Sequence, residues 1–124
     1  MTSRLCNISI NAVDPLPLAH FWCAVLGWEI EEECDGGVTI SPVDRSWPSI
    51  DIFPVPEAKV HKNRLHLDLR ADGCSTSEEL ERLSALGATT VDVGQPEDAT
   101  WVVLADPEGN EFCLLSRSVQ DLAS

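Results

Sequence analysis

The sequence predicts an α+β fold of two tandem βαβββ modules, a curved mixed sheet carrying its helices on the outside. Three observations predict it. Strand-like alternation, helical periodicity and alternation again follow one another twice along the 124 residues. Both helical stretches end in a Leu-Gly pair where a helix C′ glycine belongs, and these glycines, Gly27 and Gly87, lie 60 residues apart. The opening strand of each half has one aliphatic and one polar face. A period this long, seen twice, is an internal duplication rather than a solenoid. The whole chain, 1–124, reads as one domain: module one at about 4–54, a linker at about 55–63 and module two at about 64–117.

The first strand, LCNISIN, sets Cys6, Ile8 and Ile10 against Asn7, Ser9 and Asn11. Asp14-Pro15 supplies an N-cap and a first-turn proline, and Leu18, Phe21, Trp22, Val25 and Leu26 recur at helical spacing over 15–26. WEIEEEC alternates, with Trp28 and Ile30 opposite Glu29, Glu31 and Glu33; Asp35-Gly36-Gly37 turns the chain and VTIS returns it. After a loop carrying Trp47 and Pro48, SIDIF places Ile50 and Ile52 against Ser49, Asp51 and Phe53. PVPEAKVHKN reads as the linker.

Module two repeats the pattern. RLHLDLRA sets Leu65, Leu67 and Leu69 opposite His66, Asp68 and Arg70. STSEELERLSALG predicts a helix over 76–86, with a Ser75-x-x-Glu78 capping box and a stripe of Leu80, Leu83 and Leu86. ATTVDV and TWVVLA read as strands. Asp106-Pro107-Glu108-Gly109 suits a type I turn, which Asn110 extends to a hairpin loop. The return strand EFCLLS then puts Phe112 and Leu114 on one face and Glu111 and Cys113 on the other.

Composition narrows the function. A net charge of −13, from 21 acids against eight Lys and Arg, opposes nucleic acid and anionic membrane surfaces. It is compatible with a cationic or neutral small ligand, and equally with acidity that only keeps the chain in solution. No apolar run approaches the ~18 residues of a membrane span, and the early segment lacks the apolar core of a secretory signal. The five cysteines have neither even count nor close spacing, so a disulfide framework or zinc knuckle is not indicated. The expected location is a reducing cytosol.

The aliphatic strand faces must cover the helices, which have nothing else to pack on. The polar faces then point away from them. Asn7 and His66 are 59 residues apart, and Asp51 and Cys113 are 62 apart, so these four occupy nearly equivalent places in the repeats. If the sheets curl, the polar faces line a cup; the simpler alternative is that each strand merely wets one side. The candidate ligand-binding residues are Asn7, Ser9, Trp47, Asp51, Phe53, His66, Asp68, Trp101, Glu111 and Cys113. Trp22 and Trp28 belong to the helix-to-strand core. Trp47 is a candidate lid or stacking wall, and Trp101 either lines the cup or packs within it. His20 and His61 read as surface residues.

Two βαβββ modules, with FWCAVLGW closing the first helix, LHLDLR opening module two and LADPEGNEFCLL closing it, resemble the vicinal oxygen chelate superfamily. This is the glyoxalase, bleomycin-resistance and extradiol-dioxygenase group, and the chain is most similar to its short glyoxalase-like members from about Leu5 to Ser116. The resemblance implies a cup of strands and a homodimer. It carries the metal-ligand positions of the group onto Asn7, Asp51 (or Phe53), His66 and Cys113. Only His66 has the usual identity. Where Asn7 stands the metal enzymes generally have His, Gln or Glu, and where Cys113 stands they usually have Glu. Glu111 lies two residues earlier on the same face. The two-His, one-carboxylate iron triad is therefore missing. A site of His66, Asp51 and Cys113 remains chemically possible for a divalent metal, with zinc favoured over iron because a thiolate and an imidazole suit it.

Two function classes follow. The first is a small-molecule-binding protein of the bleomycin-resistance kind, holding an aromatic or cationic ligand in an acidic cup, with a role in antibiotic resistance. The second is a lyase, isomerase or dioxygenase relative, using a metal at His66 or the candidate catalytic residues His66 and Glu111. Cys113 with His66 is a further nucleophile–base candidate, set against the commoner fate of a strand cysteine as a buried structural thiol. Asp68 either orients His66 or pairs with Arg70.

Overall fold

The computed structural model describes residues 1–92, 94–98 and 100–123, in two compact units, Met1–Ala58 and Lys59–Ser124. The first unit runs β1 (Asn7–Ala12), α1 (Pro15–Leu26), β2 (Glu29–Cys34), β3 (Gly37–Ser41) and β4 (Ser49–Pro54). The second runs β5 (Leu67–Leu69), α2 (Thr76–Leu86), β6 (Thr89–Thr90), β7 (Trp101–Ala105), β8 (Glu111–Leu115) and a short α3 (Val119–Ala123). Each unit holds one four-stranded mixed sheet, ordered β1-β4-β3-β2 and β5-β8-β7-β6. The topology is the same in both. The opening strand lies parallel to the last, and the other pairings are antiparallel.

Local chemistry sets these elements. Asp14 stands at the N-cap of α1 but makes no side-chain capping bond, so Pro15, with its preset φ and no N–H to satisfy, starts the helix. Gly27 ends it in the left-handed region at φ 70°. Leu18, Phe21, Trp22 and Val25 are buried on the face that packs on β3 and β4, over Val38, Ile40, Ile50 and Ile52. The Phe21 and Trp22 rings meet edge-on at 5.2 Å. In the β2–β3 hairpin Asp35 and Gly36 both have positive φ, at 53° and 81°, as a two-residue type I′ loop demands. The β2 register slips between Ile30 and Glu32, a bulge that ends the alternation read from WEIEEEC.

In the second unit the capping box forms in full: Glu78 N–H donates to Ser75 Oγ, and Ser75 N–H donates to Glu78 Oε1, each at 3.1 Å. Leu83 is fully buried where α2 meets β8, with Leu104, Phe112 and Leu114. Leu86, expected on the same stripe, is 37% exposed at the helix end. The strand read from RLHLDLRA is shorter than its pattern. Only 67–69 find ladder partners, Phe112 to Leu114 on β8, so Leu65 is left 90% exposed. Likewise the ladder of ATTVDV with β7 is confined among the described residues to Thr89 and Thr90, with Val91 N–H adding one bond to Val103 O at 3.0 Å; Val93 lies outside the described residues.

The last hairpin follows its sequence closely. Gly109 N–H donates to Asp106 O at 2.9 Å, and Gly109 takes φ 87°. The buried Asp106 carboxylate accepts from the N–H groups of Glu108 and Asn110, both at 2.9 Å, and from Asn110 Nδ2. Asp106 therefore organises the loop from inside it.

Candidate functional site

The sheet of the second unit has two chemically distinct faces. Phe112, Leu114 and Leu104 are buried on the side of α2. On the other side the register aligns Trp101 with Leu115, Val103 with Cys113 and Asp68 with Cys113. These alternate residues floor a cavity of about 400 Å³, within the range of small-molecule sites. Its walls include Lys62, Asn63, His66, Gln95 and Glu111.

Three donors converge on that floor. Asp68 and Cys113 are direct partners on the parallel β5–β8 ladder, and His66 precedes Asp68 by two residues, the spacing that returns a side chain to the same face. His66 Nδ1 lies 3.0 Å from Asp68 Oδ1 and 3.9 Å from Cys113 Sγ. Asp68 thus turns to His66, while Arg70 donates to the backbone carbonyl of Arg117. Burial pushes the Cys113 thiol up, as do the charge and hydrogen bond of Asp68, with Lys62 opposing in part. The thiol is consequently held in its protonated form at neutral pH. One imidazole nitrogen faces both neighbours. A nucleophile–base relay instead uses one ring nitrogen for the thiol and the other for the carboxylate. The arrangement is that of converging donors, not of a relay.

Glu111 is engaged elsewhere. Lys59 Nζ lies 2.9 Å from its Oε1 and 2.8 Å from its Oε2, and the Asn63 N–H points at the same pair of oxygens. Burial opposes its ionisation, but the Lys59 and Asn63 hydrogen bonds outweigh that and hold its carboxyl below the usual range. The stretch read as a plain linker therefore supplies working parts: Lys59 and Asn63 pin the start of β8, and Lys62 reaches the cavity. Nothing in the spacing of these residues pairs them with Glu111, about 50 positions on; the only signal is two lysines placed close together in a strongly acidic chain.

The remaining candidates belong to the first unit. Asn7 Nδ2 donates to Asp51 Oδ2 at 2.9 Å, and Thr39 Oγ1 donates to Asp51 Oδ1 at 2.7 Å. Asn7 Nδ2 also reaches Ser9 Oγ at 3.4 Å. Phe53, on the same β4 strand, is 47% exposed. Trp47 is half exposed, and the Arg4 guanidinium lies over its ring, 4.4 Å from the centroid.

A profile of the glyoxalase-like domain matches residues 7–115. The chain belongs to the glyoxalase-like domain family. Among curated proteins none matches the sequence. Among solved structures, the glyoxalase-like chain is similar to the fosfomycin resistance protein FosX of Mesorhizobium loti, at 14% identity and TM-score 0.69 over 100% of both chains. It is similar as well to a FosX variant of Listeria monocytogenes in complex with Mn(II) and dihydroxypropylphosphonic acid, at 16% identity and TM-score 0.72, again over 100% of both chains. A hypothetical protein of S. aureus matches at 14% identity and TM-score 0.65, covering 93% of this chain and 94% of its own. At these identities the likeness is one of fold.

The metal chemistry that the resemblance implies can be tested on the donors present. A tetrahedral ion bound at about 2.0–2.3 Å sets its donors about 3.3–3.8 Å apart. In the glyoxalase-like chain the His66, Asp68 and Cys113 donor atoms all lie within 4.8 Å of one another, so small side-chain rotations bring them to that spacing. The set fits a metal. Its donors are an imidazole nitrogen, a carboxylate oxygen and a thiol sulfur.

Proposed function

We propose that this protein binds a small aromatic molecule in the cavity of its second unit. The observation that carries the reading is the cavity itself: about 400 Å³ on the sheet face away from α2, with Trp101 on one side and His66, Asp68 and Cys113 across its floor. The tryptophan offers a stacking surface, and the polar floor offers hydrogen-bonding groups for orientation. A preference for cations has less support than the net charge suggests. Glu111 is neutralised by Lys59, Asp68 faces His66, and Lys62 adds a positive charge at the wall. Neutral or hydrogen-bond-donating aromatic compounds are therefore the favoured ligands. A homodimer in a reducing cytosol completes the proposal, with the five free thiols in support of that compartment.

Tryptophan fluorescence tests this. Aromatic amines, phenols and aromatic carboxylates are titrated into the wild-type protein and into Trp101→Phe. Saturable quenching of the wild type by a phenol, absent from Trp101→Phe, is the expected result. Equal quenching in both, or none in either, overturns it.

The second reading is a metal-dependent lyase, isomerase or dioxygenase, favoured by the convergence of three donors at His66. The Mn(II) bound by the Listeria monocytogenes FosX variant is consistent with such chemistry on this fold.

A further inference from the structure

We infer that the stretch 59–66 is a strap gating the second-unit cavity, and that the Lys59–Glu111 ion pair is the latch that holds it shut. The inference rests on the reading of that cavity as a small-molecule site and deepens it: the strap sets how fast a ligand enters and leaves.

The strap has no apolar anchor. From Lys59 to His66 every residue is exposed except Lys59 and Asn63. Its two aliphatic side chains, Val60 and Leu65, are 83% and 90% exposed. The stretch forms neither helix nor strand, so no ladder fixes it before β5 begins at Leu67. Hydrophobic burial, the usual source of local stability, is missing there, and polar ties take its place. The two half-buried residues are the two that reach the β8 end of the sheet. Lys59 Nζ lies within 2.9 Å of both Glu111 oxygens, the Asn63 N–H points at the same oxygens, and Asn63 Nδ2 donates to Asn110 Oδ1 at 3.4 Å.

The same stretch is a wall of the cavity. Lys62, Asn63 and His66 line it from the strap, whereas Trp101, Val103 and Cys113 line it from the sheet. His66 Nδ1, at the strap's end, lies 3.9 Å from the buried Cys113 Sγ. Glu111 and Asn63 are latch and wall at once, so lifting the strap opens the cavity and uncovers the thiol. Opening takes both charges of the latch back into water together, which avoids the cost of stranding either one inside. No core side chain has to leave its place, so the strap opens without unfolding the sheet.

The Cys113 thiol reports the strap without any ligand. The protein is reacted with dithiobis(nitrobenzoate), and the thiolate it releases is followed by absorbance. Cys6 and Cys34 are exposed and Cys23 and Cys74 half-buried, and the phase missing from Cys113→Ser is assigned to Cys113. That phase should quicken at least about tenfold in Lys59→Met and stay within about twofold in Lys59→Arg, which keeps the charge. Loss of a nearby positive charge disfavours the thiolate and by itself slows the reaction, so acceleration reads access. The quickened rate should be nearly flat in low urea, since a local opening exposes little surface. Asn63→Ala leaves the ion pair intact and is the gentler second variant; it should quicken the phase at least about threefold. An unchanged Cys113 rate in Lys59→Met overturns the inference, as does a rate that climbs with urea as steeply as global unfolding.

Stopped-flow tryptophan quenching by a phenol is the second arm. In Lys59→Met the entry and exit rates should rise by a like factor, leaving Kd within about threefold. A rise in the exit rate alone would make Lys59 a ligand contact and overturn the latch. Quickened Cys113 labelling beside a phenol that does not bind the wild type overturns the aromatic-ligand reading and supports the strap.

Discussion

Lys59 Nζ lies within 2.9 Å of both carboxylate oxygens of Glu111, and the two side chains are only 21% and 10% exposed. A pair this enclosed is costly to break from one side, because the surviving charge keeps its desolvation and loses its partner. Glu111→Gln is expected to destabilise the protein by about 2–4 kcal/mol. Adding Lys59→Met should return a substantial part of that loss. Urea denaturation of the two single variants and the double variant measures the coupling; a double variant no better than Glu111→Gln alone would show that the pair contributes little.

The Asp106 carboxylate accepts from two backbone N–H groups and from Asn110 Nδ2 while itself buried. Asp106→Ala leaves those donors without that acceptor inside the loop and should cost about 2 kcal/mol or more, whereas Asp106→Asn, which keeps an acceptor oxygen, should cost about half as much. Thermal unfolding of the two variants separates them.

Gly37 is buried at the start of β3, where an added Cβ would meet Ile52 O at 3.2 Å and Cys34 O at 3.4 Å. Both obstacles are backbone and cannot rotate aside. Gly37→Ala should therefore lower stability by about 1–3 kcal/mol, the usual cost of overpacking. Unfolding by urea checks this, and an unchanged midpoint would mean that the sheet yields there.

The capping box carries a pH signature. The backbone and side-chain hydrogen bonds of Ser75 hold the Glu78 carboxyl below its usual value. A folded-state pKa below the unfolded one contributes stability that is fully present above the unfolded value and is lost as pH falls through the folded value. Amide exchange in the first turn of α2 should quicken over that acid range in the wild type. Glu78→Gln should remove this pH dependence.

The sequence made the helices plainest and the strand ends least so. Both α1 and α2 span the residues that periodicity, Pro15, the Ser75 capping box and the two terminal glycines indicate, because helix signals are local in sequence. Strand length is not local. RLHLDLRA alternates over its whole length, yet β8 offers partners to 67–69 alone, and pattern cannot reveal where a neighbour runs out. The site divides the same way. His66, Asp68 and Cys113 share a face by alternation, which the sequence shows. The pinning of Glu111 by Lys59 and Asn63 depends on how the chain between the modules folds back on β8, and no periodicity records it.

The slipped register of β2 bears on how molecules of this protein behave toward one another. β2 is an outer strand, all of it exposed but Ile30, and it carries Glu29, Glu31, Glu32 and Glu33. An open strand edge is a template for a second chain, and a bulge together with four like charges makes this one a poor template. Two such edges brought together would set eight carboxylates side by side. Concentrated solutions should thus stay dispersed at low ionic strength through colloidal repulsion. Salt, which screens charges beyond about 8–10 Å, would thin that barrier first.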